Sequence, residues 1–296
     1  MGSAARPALP ELVARLESIE SDERFEILTA IQQIAPVETT VPLLVEHLRD
    51  DDHSSHCIDL FAKIGEAAIP KLQEASRGDD VNRRRCVAFT LARIDSDAEL
   101  LLSTLLNMAG DEDEEIRTTA YWALGRRGSK ARRALPLLKE RLSEKSNEAR
   151  ISAATAYWQV GGDAGLAAPV IIAAAASDES AQGRVAETIE KMRRSAVEAL
   201  VAAMAQEDHD GFTRGRLAFT LGGIGHEAAD AVPALTQQLA DKHHYARAGA
   251  AYALGEIGPA SAPHVKQLAT LLADPDTFVR VKAVAAMWRI DQTKRD

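Results

Sequence analysis

The chain has 296 residues and a formal net charge of −9. This acidic balance argues against broad binding to phosphate backbones, which needs a basic field. No apolar run reaches membrane-spanning length, the opening MGSAARPALPEL lacks a signal core, and Cys57 and Cys86 form neither a CxxC pair nor a disulfide framework, so a cytoplasmic, reducing setting is expected, with no membrane and no nucleic acid as partner.

Residues 1–35 read as an irregular N-terminal cap pair, and 36–291 as repeats within a single array spanning 1–296. The period is carried by Arg84, Arg117, Arg150, Arg184, Arg214, Arg247 and Arg280, spaced by 33, 33, 34, 30, 33 and 33 residues. Self-similarity at such a period marks a stacked repeat architecture. Ser54 stands where an earlier arginine would fall, so the pattern fades toward the N-terminus. The stretch 114–128, EEIRTTAYWALGRRG, places Ile116, Ala120, Ala123 and Leu124 on one helical face. In the following stretch, 129–142, Leu135, Leu138 and Leu142 do the same. Further copies run over 211–225 with 226–239, and 244–258 with 259–272. Each unit is therefore a helix pair. Gly128, Gly225 and Gly258 end the arginine-bearing helix in a left-handed conformation, and Pro136 and Pro233 stand in the first turn of the next helix or kink it. The predicted fold is all-α, a right-handed α-α superhelix of about nine antiparallel pairs at roughly 33 residues each, with no room for a catalytic domain.

Four residues before the arginines stand Asp80, Asp113, Ser146, Ser180, Asp210 and Asp276, with His243 as the exception. Asp and Ser accept hydrogen bonds from the free N–H groups of a helix's first turn. The same carboxylates are expected to face arginines of neighbouring repeats, giving a structural ladder. Acidic runs at 50–52 and 111–115 alternate with basic clusters, Arg126, Arg127, Lys130, Arg132 and Arg133, then Lys191, Arg193 and Arg194. These read as solvated helix ends matched to the helix dipole, or as a basic rim that docks an acidic partner.

The pattern Asp-x-x-Val-Arg-x-x-Ala-Ala-x-Ala-Leu-Gly-x-Ile-Gly, best preserved at 276–290 and 241–258, resembles the HEAT repeat, in the variety named after phycobilisome lyase subunits. The resemblance implies that the second helix of each pair lines a concave face. The family includes protein-binding scaffolds, bilin lyase subunits and a di-iron hydroxylase that uses repeated His-Glu dyads. Only one such dyad occurs here, His226-Glu227, in an inter-repeat turn, so a di-iron ligand set is not expected. His53, His56 and Cys57, and His243 with His244, read as surface or capping residues, short of a closed zinc site. No nucleophile elbow, Walker loop or dinucleotide fingerprint is present. No catalytic residue, metal or cofactor is expected.

Five residues after each ladder arginine comes a column of Phe89, Trp122, Thr155, Ile189, Phe219, Tyr252 and Ala285. Four of these are aromatic in a chain with thirteen aromatic residues, so the column is enriched. At ladder plus nine lie Arg93, Arg126, Gln159, Arg193, Gly223, Glu256 and Arg289. Protein interfaces enrich aromatics and arginine. The expected function is a non-enzymatic scaffold that binds a segment of another protein in its concave groove. Phe89, Trp122, Phe219 and Tyr252 serve as anchors, and Arg93, Arg126 and Arg193 as a polar rim toward an acidic ligand. Two alternatives stay open: the rings pack across adjacent second helices, or the chain is a tetrapyrrole (bilin) lyase subunit or chaperone-like protein. The last helix, with Val279, Ala283, Val284, Met287 and Trp288, keeps the internal consensus and is expected to pack against a second copy, a partner or further repeats.

Overall fold

A computed structural model describes residues 2–16, 21–48, 54–176, 182–206 and 210–292. Its described residues hold eighteen α-helices and no strand. They run α1 (Leu9–Leu16), α2 (Ser21–Ile34), α3 (Val37–Glu46), α4 (Ser54–Ile64), α5 (Ile69–Ala75), α6 (Val81–Arg93), α7 (Glu99–Met108), α8 (Glu114–Arg126), α9 (Leu135–Glu140), α10 (Asn147–Gln159), α11 (Ala164–Ala176), α12 (Gln182–Met192), α13 (Val197–Met204), α14 (Gly211–Ile224), α15 (Val232–Gln238), α16 (His244–Ile257), α17 (Val265–Thr270) and α18 (Thr277–Gln292). In chain order these make nine pairs, with every ladder arginine on an even-numbered helix. The all-α class is therefore as the repeat predicts. No described helix is long and apolar enough to cross a membrane. The helices gather into two compact units, Met1–Glu140 with Gln159–Gly161, and Arg141–Trp158 with Gly162–Asp296.

In the first unit the predicted face of α8 is the core face. Ile116, Ala120, Ala123 and Leu124 are buried, and so is Leu138 of α9, while Leu135 is half-buried; Leu142, assigned to the second unit, is half-buried too. Tyr121 is enclosed as well, and its hydroxyl donates to the Ala109 carbonyl at 3.3 Å, so burial leaves no polar atom stranded.

In the second unit α14, α16 and α18 approach closely enough to explain the small residues on them. A Cβ on Gly249 would stand 2.4 Å from the Gly215 carbonyl oxygen, and one on Gly255 would stand 2.7 Å from the Ala286 Cα. Only glycine permits that backbone contact.

Helix ends follow the sequence with one difference. Gly225 (φ 72°, ψ −141°) and Gly258 (φ 75°, ψ −120°) have positive φ, but their ψ values lie far from the left-handed helical well expected for them. They occupy a mirror-image extended region that is open to glycine, and a short 3₁₀ segment leads directly into the next helix. Pro136 and Pro233 are each the second residue of their helices, where a missing N–H costs least.

Candidate functional site

The N-cap assignments describe the helix starts. Asp80 accepts from the N–H groups of Asn82 and Arg83, Asp113 from Ile116, Asp210 from Thr213, and Asp276 from Phe278 and Val279. Ser146 Oγ accepts from Ala149, and His243 Nδ1 takes the same role toward Tyr245. Ser180 lies outside the described residues.

The arginines reach a different carboxylate from the one expected. Arg84 donates through Nε and Nη2 to Asp111, Arg214 to Asp241, and Arg247 to Asp274, always 27 residues on. These acceptors stand six residues before the next ladder arginine, two before its N-cap. The cap carboxylate is committed to its own first turn, whereas the residue two earlier sits on the turn that faces the preceding repeat. Each such aspartate also accepts the N–H of the cap residue, at 2.9 Å for Asp113, 2.8 Å for His243 and 2.9 Å for Asp276. Its backbone carbonyl accepts from Nη1 of its own repeat's arginine, as Arg117 does at Asp111, Arg247 at Asp241 and Arg280 at Asp274. The result is a continuous relay within the second unit, from Arg214 through Asp241, Arg247 and Asp274 to Arg280. Asp113 does also meet an arginine, but it is Arg85, bound at 3.1 and 2.6 Å. Arg150 bonds Asn147, and the side chain of Arg184 lies outside the described residues.

Electrostatics agree with these pairings. The hydrogen bonds to Asp111, Asp241 and Asp274 raise the pKa values of Arg84, Arg214 and Arg247 against the opposing effect of burial. Arg247 holds Asp274 below the usual carboxylate range, and Arg85 does the same for Asp113. Burial pushes Asp241 up, but bonds from Arg214 and the His243 N–H outweigh it, so its pKa is also lowered.

The predicted binding column divides between the units. In the first, Phe89 and Trp122 are exposed, and the Arg126 guanidinium lies 4.8 Å from the Trp122 ring centre. Arg93 is exposed too, but it pairs with Asp59 at 2.8 Å. In the second unit Phe219 and Tyr252 are half-buried and belong to a larger cluster that the column missed. Phe212 stacks on Tyr245 at 4.7 Å, Phe219 meets Tyr245 at 5.1 Å and Tyr252 at 5.3 Å, and Phe278 lies 6.2 Å from Tyr245. The three added rings all stand two residues before a ladder arginine, two helical turns before the column itself. Aromatics at that offset occur only on α14, α16 and α18, a signal visible in the sequence. Lys282 Nζ sits over three rings, 5.7 Å from Phe219, 5.1 Å from Tyr252 and 5.2 Å from Phe278. Among the described residues neither Lys282 nor Arg126 has a carboxylate partner.

Two members of the predicted columns are placed elsewhere. Ile189 is buried, a core residue of α12. Arg193 has φ 51° and stands directly after α12, as Gly225 and Gly258 stand after α14 and α16. Helix α12 ends earlier relative to its arginine, consistent with the short interval of 30 residues that follows, so ladder plus nine, the last helical residue at Arg93 and Arg126, here falls just past the helix. Arg193 pairs with Glu227 of the next turn.

The basic edge is largely neutralised by neighbouring repeats. Lys130 pairs with Asp97 at 2.5 Å, Arg133 with Glu99, and Arg194 with Asp230 at 3.4 Å. Arg127 is half-buried and donates to the carbonyls of Ala123, Leu91 and Ile94, clamping two helix C-termini together. Burial, with Arg126 alongside, pushes its pKa down. Acidic residues 111–115 are similarly drawn in, with Asp111 and Glu112 on Arg84 and Asp113 and Glu115 on Arg85.

Among the described residues, the candidate metal residues do not converge. His243 stacks on His244 at 4.7 Å, Cys57 and Cys86 are buried, and the side chains of His53 and His56 lie outside the described residues. Among the described residues no three His, Cys, Asp or Glu side chains gather as a metal site.

No curated protein matches the chain. Among solved structures, karyopherin Kap121p bound to Nup53p aligns at 12% identity and a TM-score of 0.63 over 95% of this chain. This chain spans only 37% of that karyopherin. An engineered protein aligns at 22% identity and a TM-score of 0.41, covering 98% of this chain and 92% of its own. Human deoxyhypusine hydroxylase in complex with glycerol aligns at 21% identity and a TM-score of 0.35, covering 86% of this chain and 97% of its own. Both latter scores are too low to carry an argument, and the karyopherin likeness is one of fold. The sequence profile of HEAT repeats matches residues 69–158, 167–254 and 232–295. With most of its length matched, the chain belongs to the HEAT-repeat family.

Proposed function

We propose that this protein is a non-enzymatic scaffold that binds a segment of another protein on the ring-bearing faces of its even-numbered helices. The observation that carries this reading is the half-exposed cluster of Phe212, Phe219, Tyr245, Tyr252 and Phe278 beneath the carboxylate-free Lys282. Rings of this kind offer a large contact area at small entropic cost, and a cation among them selects an acidic residue. Phe89, Trp122 and Arg126 repeat the chemistry in the first unit. Kap121p, similar in fold, is seen with Nup53p and with the extreme C-terminus of Cdc14p, which supports reading a helical-repeat surface as a place for protein segments. Arg84, Arg214 and Arg247 hold adjacent repeats in register and are not contacts. Two buried thiols suit a cytoplasmic setting.

The test is selection from a phage-displayed random peptide library. Enriched peptides are expected to be acidic and to lose at least about tenfold in affinity, or 1.4 kcal/mol, with Phe219→Ala plus Tyr252→Ala or with Lys282→Glu. Peptides that bind those folded variants and the Trp122→Ala variant unchanged would refute the assignment.

A further inference from the structure

The face of α18 that α14 and α16 keep for their successors is uncovered, and it is bulky where theirs are small, as on α10 and α12, which carry Ile151, Trp158, Val185 and Met192 at the same positions. On α14 the positions one, four and eight after the ladder arginine are Gly215, Ala218 and Gly222; on α16 they are Ala248, Ala251 and Gly255. All six are buried beneath the next helix. On α18 they are Val281, Val284 and Trp288, which are 57%, 56% and 63% exposed. With Thr277, Arg280 and Ala285 they line an open groove of about 460 Å³. Leu272 is also left exposed at 44%, whereas its counterpart Leu239 is 6% exposed. These bulky side chains cannot accept a helix at the glycine contact distance used between α14, α16 and α18. They suit a helix at the ordinary spacing of about 8–10 Å.

The residues follow the seam of paired helices. Thr277, Val281, Val284 and Trp288 are spaced by four, three and four. They are also self-complementary, because Arg280 lies four residues before Val284 and Trp288 four after it. An antiparallel pair of α18 helices with Val284 on the two-fold axis would set each Arg280 against the mate's Trp288, twice. The same cation-on-ring contact exists within the chain between Arg126 and Trp122. Arg280 is poised for it. Nη1 is anchored on the Asp274 and Pro275 carbonyls and Nη2 on Thr277 Oγ1, and among the described residues no carboxylate meets the edge that other ladder arginines give to the next repeat. The nearby charges do not oppose this pairing, since Arg289 is matched with Glu256 at 3.2 Å and Lys282 lies over the aromatic cluster.

We propose that this face is an isologous dimer interface, occupied by α18 of a second copy of the chain. This goes beyond the scaffold reading and uses a different face of α18 from Phe278 and Lys282, so either can fail without the other. A helix of 16 residues is about 24 Å long, so the contact is smaller than the roughly 800 Å² per partner of a standard interface, and the dimer should be of micromolar strength.

Sedimentation velocity of the full chain from about 1 to 500 μM, a span bracketing that strength, should show the mass rising from 31.9 kDa toward twice that value. Trp288→Glu should remain a folded monomer by circular dichroism, since its side chain is exposed. Under mild oxidation Val284→Cys should cross-link to itself, because a residue on a two-fold axis meets its own copy, while Val281→Cys, displaced along the helix beyond disulfide reach, should not. The native cysteines are buried and do not interfere. A single-chain mass at every concentration would assign the face to a partner helix or a further repeat and overturn the proposal. A dimer that survives Trp288→Glu, or that cross-links through Val281→Cys in preference to Val284→Cys, would overturn it equally.

Discussion

Replacing Arg247 with Ala should loosen the last repeat from the one before it. The guanidinium makes two charge-assisted bonds to Asp274, at 2.7 and 2.8 Å, and two bonds to the carbonyls of Asp241 and Lys242, at 2.9 and 3.1 Å. Both side chains are enclosed, 13% and 5% exposed, so water does not replace what is lost. Removing one member of a buried pair costs about 3–5 kcal/mol. Asp274 keeps one bond, from the Asp276 N–H, which places the expected loss near the lower end, about 3 kcal/mol. An array of repeats need not unfold in one step. Hydrogen exchange resolved by peptide is therefore the assay of choice, with protection expected to fall in α17 and α18 before α14. A double-mutant cycle with Asp274→Asn isolates the pair. The exposed Lys130–Asp97 pair, treated identically, should show no measurable coupling. Unchanged protection in Arg247→Ala, or a coupling no larger than that of Lys130 with Asp97, would refute the ladder as a structural fastening.

Three further outcomes follow from the same geometry. Arg193→Gly should raise Tm by about 2 °C, since relieving a left-handed non-glycine residue returns about 1–2 kcal/mol and the exposed pair with Glu227 gives little back; a lower Tm would show the pair to outweigh the strain. Gly249→Ala should destabilise by about 1–3 kcal/mol through its clash with the Gly215 carbonyl, whereas Gly223→Ala, which meets only the movable carboxylate end of Glu190, should be neutral or better by helix propensity; urea titrations of the two variants would discredit the close packing if both behave alike. Asp113, Asp241 and Asp274 have folded pKa values below their unfolded value of about 3.9, so their contribution is present above pH 4 and is lost as pH falls through the lowered values. Acid titration followed by circular dichroism should show this loss below pH ~4, with a shallower slope in Arg247→Ala; an equal slope would dissociate the ladder from acid stability. Arg84, Arg214 and Arg247 have raised pKa values, so their share persists throughout the acid and neutral range and adds nothing to the acid transition.

The repeat, its helix pairs and its caps were legible in the chain alone. These are local matters. A period of about 33 residues, an apolar stripe at helical spacing and an Asp before a helix each follow from a few adjacent residues. Tertiary structure decided which carboxylate each arginine meets. Asp113 and Asp111 look equally suited in the chain, and only the path of the turn gives Asp111 to Arg84 and leaves Asp113 to Arg85. It also decided the fate of the predicted site. A fixed offset from Arg184 pointed to Arg193 as a rim residue, but α12 ends early and leaves that position just past the helix at positive φ. Arg93 and the basic edge seemed free as residue types, yet partners one repeat away bind them. The rings of Phe212, Tyr245 and Phe278 were legible as a second column, but their union with Phe219, Tyr252 and Lys282 depends on glycines that bring α14, α16 and α18 into backbone contact. Spacing along one helix sets which residues share its face, whereas the distance between helices, set by the smallest residues at their contacts, decides which faces merge into one surface.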